Sequence, residues 1–483
     1  MPKQAYLGTK VRRLRQREAL TQVELANRLG ISASYLNLIE HNQRTLTVPL
    51  LLKLAQLFHV ELESFAEDDD SLLAGELREV LVDPLFEGRR IGASEIRDLV
   101  THAPEVSRGL LELYRAYRAA RRSAEELATR VSDGEQPAGL TPRLEPSEEV
   151  SDLIQGHGNH FPGLEEAAEE LCREAGLEPR SLFEGLVRRL SQEHGIEVVI
   201  AESDALQGAV RRCEPGRRRL LLSEVLPAAS LNFQLAHQLG LLSERERIDG
   251  LLDDERLTSE EARGLGRVAL ANYFAAAVTM PYGRFLEAAR AVRYDVELLE
   301  HRFRTSFEQV CHRLTTLRRP GAEGVPFHFL RIDIAGNISK RFSASGIRFA
   351  RYSGACPRWN VHAAFLTPGA IRTQISRMPD GTTYFCIART VRKAGGGHRV
   401  PQSRLAIGLG CQVEHARELV YADGLDLANE ETAVPVGTTC RLCERMDCRQ
   451  RAFPPIHHQL NVDENVRGLS FYYAPPAAGA WSV

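Results

Sequence analysis

Between Thr21 and Glu40 the chain reads TQVELANRLGISASYLNLIE, two short helical periods punctuated by one glycine. Thr21 precedes QVELANRL, and Glu24 follows three residues on, a capping-box pair that fixes where the first helix begins. Gly30 is the residue type that best takes the left-handed conformation closing a helix, and Ser32 caps the following ASYLNLIE. Val23, Leu25, Ala26, Leu29, Leu36 and Ile39 keep helical spacing, so both helices bury one side and leave polar residues on the other. Two capped helices joined this tightly form a helix-turn-helix, whose second helix carries exposed polar side chains into a DNA major groove.

Charge agrees with that placement. Residues 1–60 hold nine Lys and Arg against three carboxylates, a net +6 on a chain whose total is −3. A basic head on an acidic chain is the electrostatic footprint of nucleic-acid binding. Ser32, Ser34, Tyr35 and Asn37 are expected at base edges or phosphates. Gln22 opens the preceding helix, where its amide and the helix N-terminus suit a backbone phosphate. Asn42 and Arg44, just past the recognition helix, are expected to clamp the strand. This stretch resembles the lambda-repressor/Cro-like helix-turn-helix family over about 60 residues, and such heads bind two half-sites as dimers. A homodimer or higher homo-oligomer on double-stranded operator DNA is therefore expected.

The rest of the chain is ordinary globular sequence, 43% hydrophobic and 26% charged, which excludes a disordered chain, a collagen-like fibre and a small disulfide scaffold. No apolar run reaches the roughly 18 residues of a membrane span, and MPKQAYLGTKVRRLR has no signal-peptide core, so a cytoplasmic protein without a membrane partner is expected. Composition and periodicity suggest a multidomain chain. A helix-turn-helix domain occupies 1–66, and a helical connector offering a dimer contact 67–131. A linker spans 132–149, a mainly helical domain with a short strand pair (IEVVIAE, RRRLLLSE) 150–320, and an α+β domain 321–483. The fold class is thus an α head and helical middle region, then an α+β C-terminal half with a metal-binding cysteine module.

Nine cysteines are present, and CRLCERMDC places Cys440, Cys443 and Cys448 in a C-x2-C-x4-C run. Thiolates at that spacing converge on one metal centre, with a fourth ligand from elsewhere. Cys411, ending the strand-like RLAIGLGC, is the first choice; Cys356, in ACPRW, is the rival. Spacing leaves iron–sulfur and zinc both open. Cys172, Cys213, Cys311 and Cys386 read as buried thiols.

LNFQLAHQLGLL, followed by ANYFAAAVTMPYGRFLEAA, resembles the ImmA/IrrE-type metallopeptidase-like family, in which an H-E-x-x-H helix binds zinc and supplies a general base. Here His237 is kept, but Gln238 stands at the Glu position and Leu241 at the second His position. Gln is no base and Leu no ligand, so no protease activity is expected. A residual pocket lined by Ala, Leu and Tyr273 would be a ligand cavity.

RIDIAGNISKRFSASGIRFARYSGACPRWN, MPDGTTYFCIARTV, GLGCQVEHARELVYADG and CRLCERMDCRQRAFPP, with the head and the degenerate peptidase domain, resemble the short-chain fatty acyl-CoA regulator family over essentially the whole chain. The family includes bacterial transcription factors of propionate metabolism. The resemblance implies a non-enzymatic regulator whose DNA affinity answers to a short acyl-CoA, with a 4Fe–4S cluster in the C-terminal module and zinc as the alternative. Cys440, Cys443 and Cys448, with Cys411, are the positions carried over to that cluster. The CoA phosphates need cations, and the basic turn Lys340–Arg341 beside Gly336, Asn337 and Ser339, with Arg331 nearby, is the cradle expected. Two rival readings are a metallopeptidase and a partner-controlled DNA-binding repressor that senses no small molecule.

Overall fold

A computed structural model describes residues 11–12, 14–15, 18, 20–40, 44, 46–58, 69–81, 83–86, 91–132, 146–349, 355–393, 403–441, 443–454 and 472. The chain divides into two compact units, Met1–Glu125 and Glu126–Val483. Helices of the first unit include α1 (Gln22–Leu29), α2 (Ala33–Glu40), α3 (Val48–Phe58), α4 (Asp69–Val80), α5 (Ala93–His102) and α6 (Pro104–Ser132), the last running past the division between units. Val11, Leu25, Leu29, Leu36, Ile39, Leu54 and Phe58 form the core of the head. Downstream, α6 buries Ser107, Leu111 and Tyr114, and the Tyr114 hydroxyl donates to Asp83 at 2.9 Å.

The second unit begins with α7 (Pro146–Gly156), α8 (Pro162–Glu174) and α9 (Leu182–His194), then β1 (Glu197–Ala201), β2 (Arg211–Glu214) and β3 (Arg219–Ser223). The expected strand pair forms as parallel β1 and β3, and β2 adds antiparallel to the far edge of β3. Helices α10 (Ala228–Ser243), α11 (Arg245–Leu251), α12 (Glu260–Thr279), α13 (Tyr282–Ala291), α14 (Val296–Phe303) and α15 (Phe307–Leu314) follow. Ser259, Asp295 and Ser306 cap α12, α14 and α15 with their side-chain oxygens. Helices α10 and α12 pack so closely that a Cβ on Gly240 would lie 2.7 Å from the Phe274 ring. Here glycine is needed for approach.

Among the described residues the C-terminal half holds one six-stranded sheet in the order β5–β4–β8–β7–β6–β9. Its strands are β4 (His328–Ile332), β5 (Ile338–Ser343), β6 (Arg372–Arg377), β7 (Thr383–Arg392), β8 (Arg404–Gln412) and β9 (Val434–Pro435), with the short α16 (Asn360–Ala363) between β5 and β6. All pairings are antiparallel except β6 with β9. Alternation along the strands gives two buried faces. Phe329, Phe342, Phe385, Leu409 and Cys411 join Phe285, Val310, Leu314 and other helix residues in one core. Leu330, Ile332, Cys386 and Ala406 pack instead with Cys356, Trp359, Met378 and Val436. The first of these cores runs across residue 320, from Ala276 to Ala433. Among the described residues no helix is long and apolar enough to cross a membrane.

Candidate functional site

The head assembles as its capping residues dictate. Thr21 accepts from the Glu24 amide while Glu24 accepts from the Thr21 amide at 2.7 Å, and Gly30 closes α1 at φ +72°. Ser32 Oγ accepts from the Tyr35 amide at 3.1 Å. Leu36 and Ile39 are buried, and Ser32, Ser34 and Asn37 are exposed on the outer face of α2. Tyr35 is half-buried against the core, and Arg44 is exposed. Asn42 lies outside the described residues.

Gln22 is not an open amide. It donates to Glu40 at 2.7 Å and to Asn37 at 3.2 Å, so the start of α1 is tied side chain to side chain to the second half of α2. Glu40 is the residue that the sequence reading missed. Its buried carboxylate accepts from Arg15 at 2.6 and 3.0 Å. Burial pushes the Glu40 carboxyl up, but the bonds from Arg15 and Gln22 outweigh it and hold the group below the usual carboxylate range. One of the nine basic residues of the head is therefore an internal strut.

The degenerate peptidase helix is α10. His237 and Gln238 are both buried on it. The Arg211 guanidinium, from β2, reaches His237 Nδ1 and stands beside the one remaining imidazole of the motif. Burial and then the Arg211 charge push the His237 pKa down to about 3, so the ring stays neutral against a cation. A second cation at that nitrogen would meet both Arg211 and a motif that has lost its second imidazole, where Leu241 stands. Tyr273 does not line a cavity as expected. It is buried, receives the Phe161 amide at 3.2 Å and donates to Glu165. Glu165 in turn holds the fully buried Arg313, with Nη2–Oε2 at 2.8 Å, and Arg313 Nε donates to the Met280 carbonyl at 2.9 Å. Burial would raise the Glu165 carboxyl; the Arg313 charge reverses the shift. These residues lock α8 to α12 and α15, a structural task.

The basic turn splits between two faces. Arg331 and Lys340 are cross-strand neighbours on β4 and β5. Arg331 donates to Glu308 at 2.6 Å and to Ser339 at 2.9 Å, and Lys393 reaches the other Glu308 oxygen at 3.0 Å. Burial draws the Lys340 amine down to about 8 although Glu308 opposes that shift. Arg341 points to the opposite side, as strand alternation requires, and pairs with Glu148 of α7. Lys393, not Arg341, completes the cluster with Arg331 and Lys340. Lys393 lay at the end of a strand run that the sequence reading did not connect to this turn.

The cysteines separate in the same way. Cys411 is buried on the helix-facing side of the sheet, in the core with Phe385 and Phe329. The loop carrying Cys440, Cys443 and Cys448 lies on the other side, so the first choice of fourth ligand is not brought to it. Cys356 is. Burial raises its thiol, the backbone N–H groups of Arg358 and Gly437 pull it back, and the nearby Cys440 and Cys443 push it further up. A Cβ on Gly437 would meet Cys443 Sγ at 3.0 Å, and the Ala452 amide donates to Cys440 Sγ at 3.5 Å. Cys443 accepts from the Arg445 amide and has Cys448 close by. Arg451 pins the loop by donating to the carbonyls of Cys440 at 2.6 Å, Cys443 at 2.7 Å and Arg445 at 2.7 Å. Among the described residues, no three His, Cys, Asp or Glu side chains already close to metal-binding range.

Three families match along the chain in sequence order. A helix-turn-helix family covers residues 11–65, an IrrE N-terminal-like domain 191–315, and the C-terminal domain of a short-chain fatty acyl coenzyme A regulator 316–472. A propionyl-CoA carboxylase regulator of Cereibacter sphaeroides is 41% identical over 98% of this chain and 99% of its own. The Mycobacterium tuberculosis transcriptional regulators PrpR and RamB are each 40% identical, over 97% of this chain and 96% and 98% of theirs. A solved Mycobacterium tuberculosis transcriptional regulator matches with a TM-score of 0.65 and 42% identity, covering 68% of this chain and 99% of that one. The basic helix-turn-helix head, the disarmed peptidase helix and the sheet with its cysteine loop are thus parts of a non-enzymatic transcriptional regulator, and the chain belongs to the short-chain fatty acyl-CoA regulator family.

Proposed function

We propose that the chain is a cytoplasmic, operator-binding regulator of short-chain fatty acid metabolism of the propionate or acetate type, acting as a homo-oligomer whose DNA affinity is set by a short-chain acyl-CoA. Similarity along the full length to regulators of this kind is the observation that carries the reading. Gln22, Ser32, Ser34, Tyr35, Asn37, Asn42 and Arg44 are the proposed DNA contacts. On this reading the exposed Ser34 and Asn37 meet base edges, and Gln22, bonded to Asn37, positions that side chain.

For the effector, the cluster of Arg331, Lys340 and Lys393 around Glu308 is the proposed seat of the CoA phosphates. Three cations share a single carboxylate there, so an anion gains more than it loses by entering. Arg341 is left out, engaged with Glu148. The ligand alters operator affinity only through a difference in its affinity for the two states of the protein, and a coupling of about 1–3 kcal/mol shifts binding roughly 5- to 150-fold.

Four thiols on the loop side of the sheet are the proposed donor set for an iron–sulfur cluster. Cys356, Cys440, Cys443 and Cys448 would hold it, with the amides of Arg358, Gly437, Arg445 and Ala452 directed at sulfur and Arg451 supplying positive charge near an anionic centre. Zinc would use the same four thiolates. When bound, the cluster would cross-link the loop to the α16 end of the sheet and supply a redox-active centre.

Thermal shifts of anaerobically purified protein with acetyl-, propionyl- and butyryl-CoA and free CoA test the effector. A ligand of the native state adds about 2.7 kcal/mol at a hundredfold excess over its dissociation constant. A rise with one thioester and a weaker rise for Lys340→Ala support the reading; no rise with any thioester refutes it. Iron analysis of the same preparations tests the ligands. Cys356→Ser and Cys443→Ser are expected to lose iron, whereas Cys411→Ser keeps it.

A further inference from the structure

We infer that α6 is the dimerisation element, its outward seam pairing with the same seam of a second copy of this chain. The inference rests on the reading of the chain as a two-half-site operator binder and adds the surface that joins its heads.

The seam begins with Val106, Leu110, Leu113 and Tyr117, and the sequence continues it through Ala120, Ala124, Leu127 and Val131. The spacing alternates four and three without a break, a heptad register sustained for about four turns of the repeat. No charged residue falls on any of the eight positions. At 29 residues the helix is ~43 Å long, enough to carry the whole seam.

The opposite face of α6 is already used. Ser107, Leu111 and Tyr114 are buried in their own unit, and Arg115 pairs with Glu76. The seam is not. Val106 is 62% and Leu113 68% exposed, more than isolated surface apolar residues at regular spacing require. Gly109 and Ala116 flank the seam one heptad apart and are also exposed. A Cβ on Gly109 would meet nothing within 4 Å, so no neighbour in the chain demands this helix-weakening residue. A second backbone approaching the seam does.

A heptad seam needs a partner of the same period and equally free of charge. A second copy supplies one by identity, and a two-fold pairing of identical surfaces closes on itself. Helix α6 starts inside the unit that holds the head, so this pairing brings two recognition helices under one two-fold axis, the symmetry of a palindromic operator.

Sedimentation velocity on the full-length chain, with and without operator, tests the inference. The wild type is expected at two-copy mass. Leu113→Glu is expected at one-copy mass with unchanged far-UV circular dichroism and melting temperature, and with operator affinity lowered at least tenfold. Leu113→Cys gives a second readout: mild oxidation is expected to yield a covalent two-copy species mapped to position 113. Two-copy mass retained in Leu113→Glu overturns the inference, as does a fall in its melting temperature without a change in mass, which would mean that the chain's own residues cover the face. A wild type that is one copy on operator yet answers to propionyl-CoA sinks the seam and leaves the regulatory reading standing. A two-copy chain that binds no operator does the reverse.

Discussion

At the scale of single residues, the disarmed peptidase site turns on Arg211 and His237. A buried histidine kept neutral by burial and a neighbouring guanidinium has a pKa of about 3 in the folded chain against about 6.5 unfolded. Between those values the unfolded state binds more protons, so stability is complete above about pH 6.5 and is lost as pH falls towards 3. His328, buried beside Ser345 and Cys386 and likewise drawn to about 3 by burial, adds to the same window. Each contributes up to about 1.4 kcal/mol per pH unit. Melting temperatures recorded from pH 7 to pH 4 are expected to fall steeply for the wild type and less steeply for His237→Gln. Equal slopes would show that the ring is not held neutral. The loss of metal chemistry was legible in the sequence because Gln238 and Leu241 stand at motif positions. Arg211 was not, because it comes from a strand 26 residues upstream and no motif links the two.

The elements differ in how much of them the sequence discloses. Helices α1 and α2 were readable to the residue at their starts because Thr21, Glu24 and Ser32 act locally, over three residues. Strand β2 and the Glu40–Arg15 strut were not, since both depend on partners brought together only by folding. The cysteine assignment shows the same limit. Cys440, Cys443 and Cys448 share a loop and were found by spacing, whereas the choice between Cys411 and Cys356 depends on which face of a sheet each residue takes. Within α2 the two faces make separable predictions. Asn37→Ala is expected to leave the melting temperature within a degree or two and to cost about 1–3 kcal/mol in discrimination at one operator base pair, read by titrating operator variants. Leu36→Ala, in the buried core, is expected to cost about 2–5 kcal/mol of stability and to weaken binding to all operator variants alike. Reversed outcomes would place the recognition face elsewhere.

For the whole molecule, the informative feature is the core that crosses residue 320. Phe285, Val310 and Leu314 from the helices and Phe329, Phe385 and Leu409 from the sheet share one apolar cluster. The peptidase-like and C-terminal segments, distinct in sequence texture, are expected to melt together. Calorimetry of the full chain should give one transition for 146–454, and a fragment ending at residue 320 should fail to give a cooperative transition of its own. Two resolved transitions within that span, or a stably folded fragment, would separate the segments. The same core bears on how such proteins can be reassembled during evolution. Recombination at residue 320 would leave two half-cores without complements, so the peptidase-like and sheet segments must be inherited as a block. The head belongs to a separate compact unit with its own apolar cluster. A lineage can therefore retarget its regulator to new promoters by exchanging heads, while the block that follows is free to drift only as a piece.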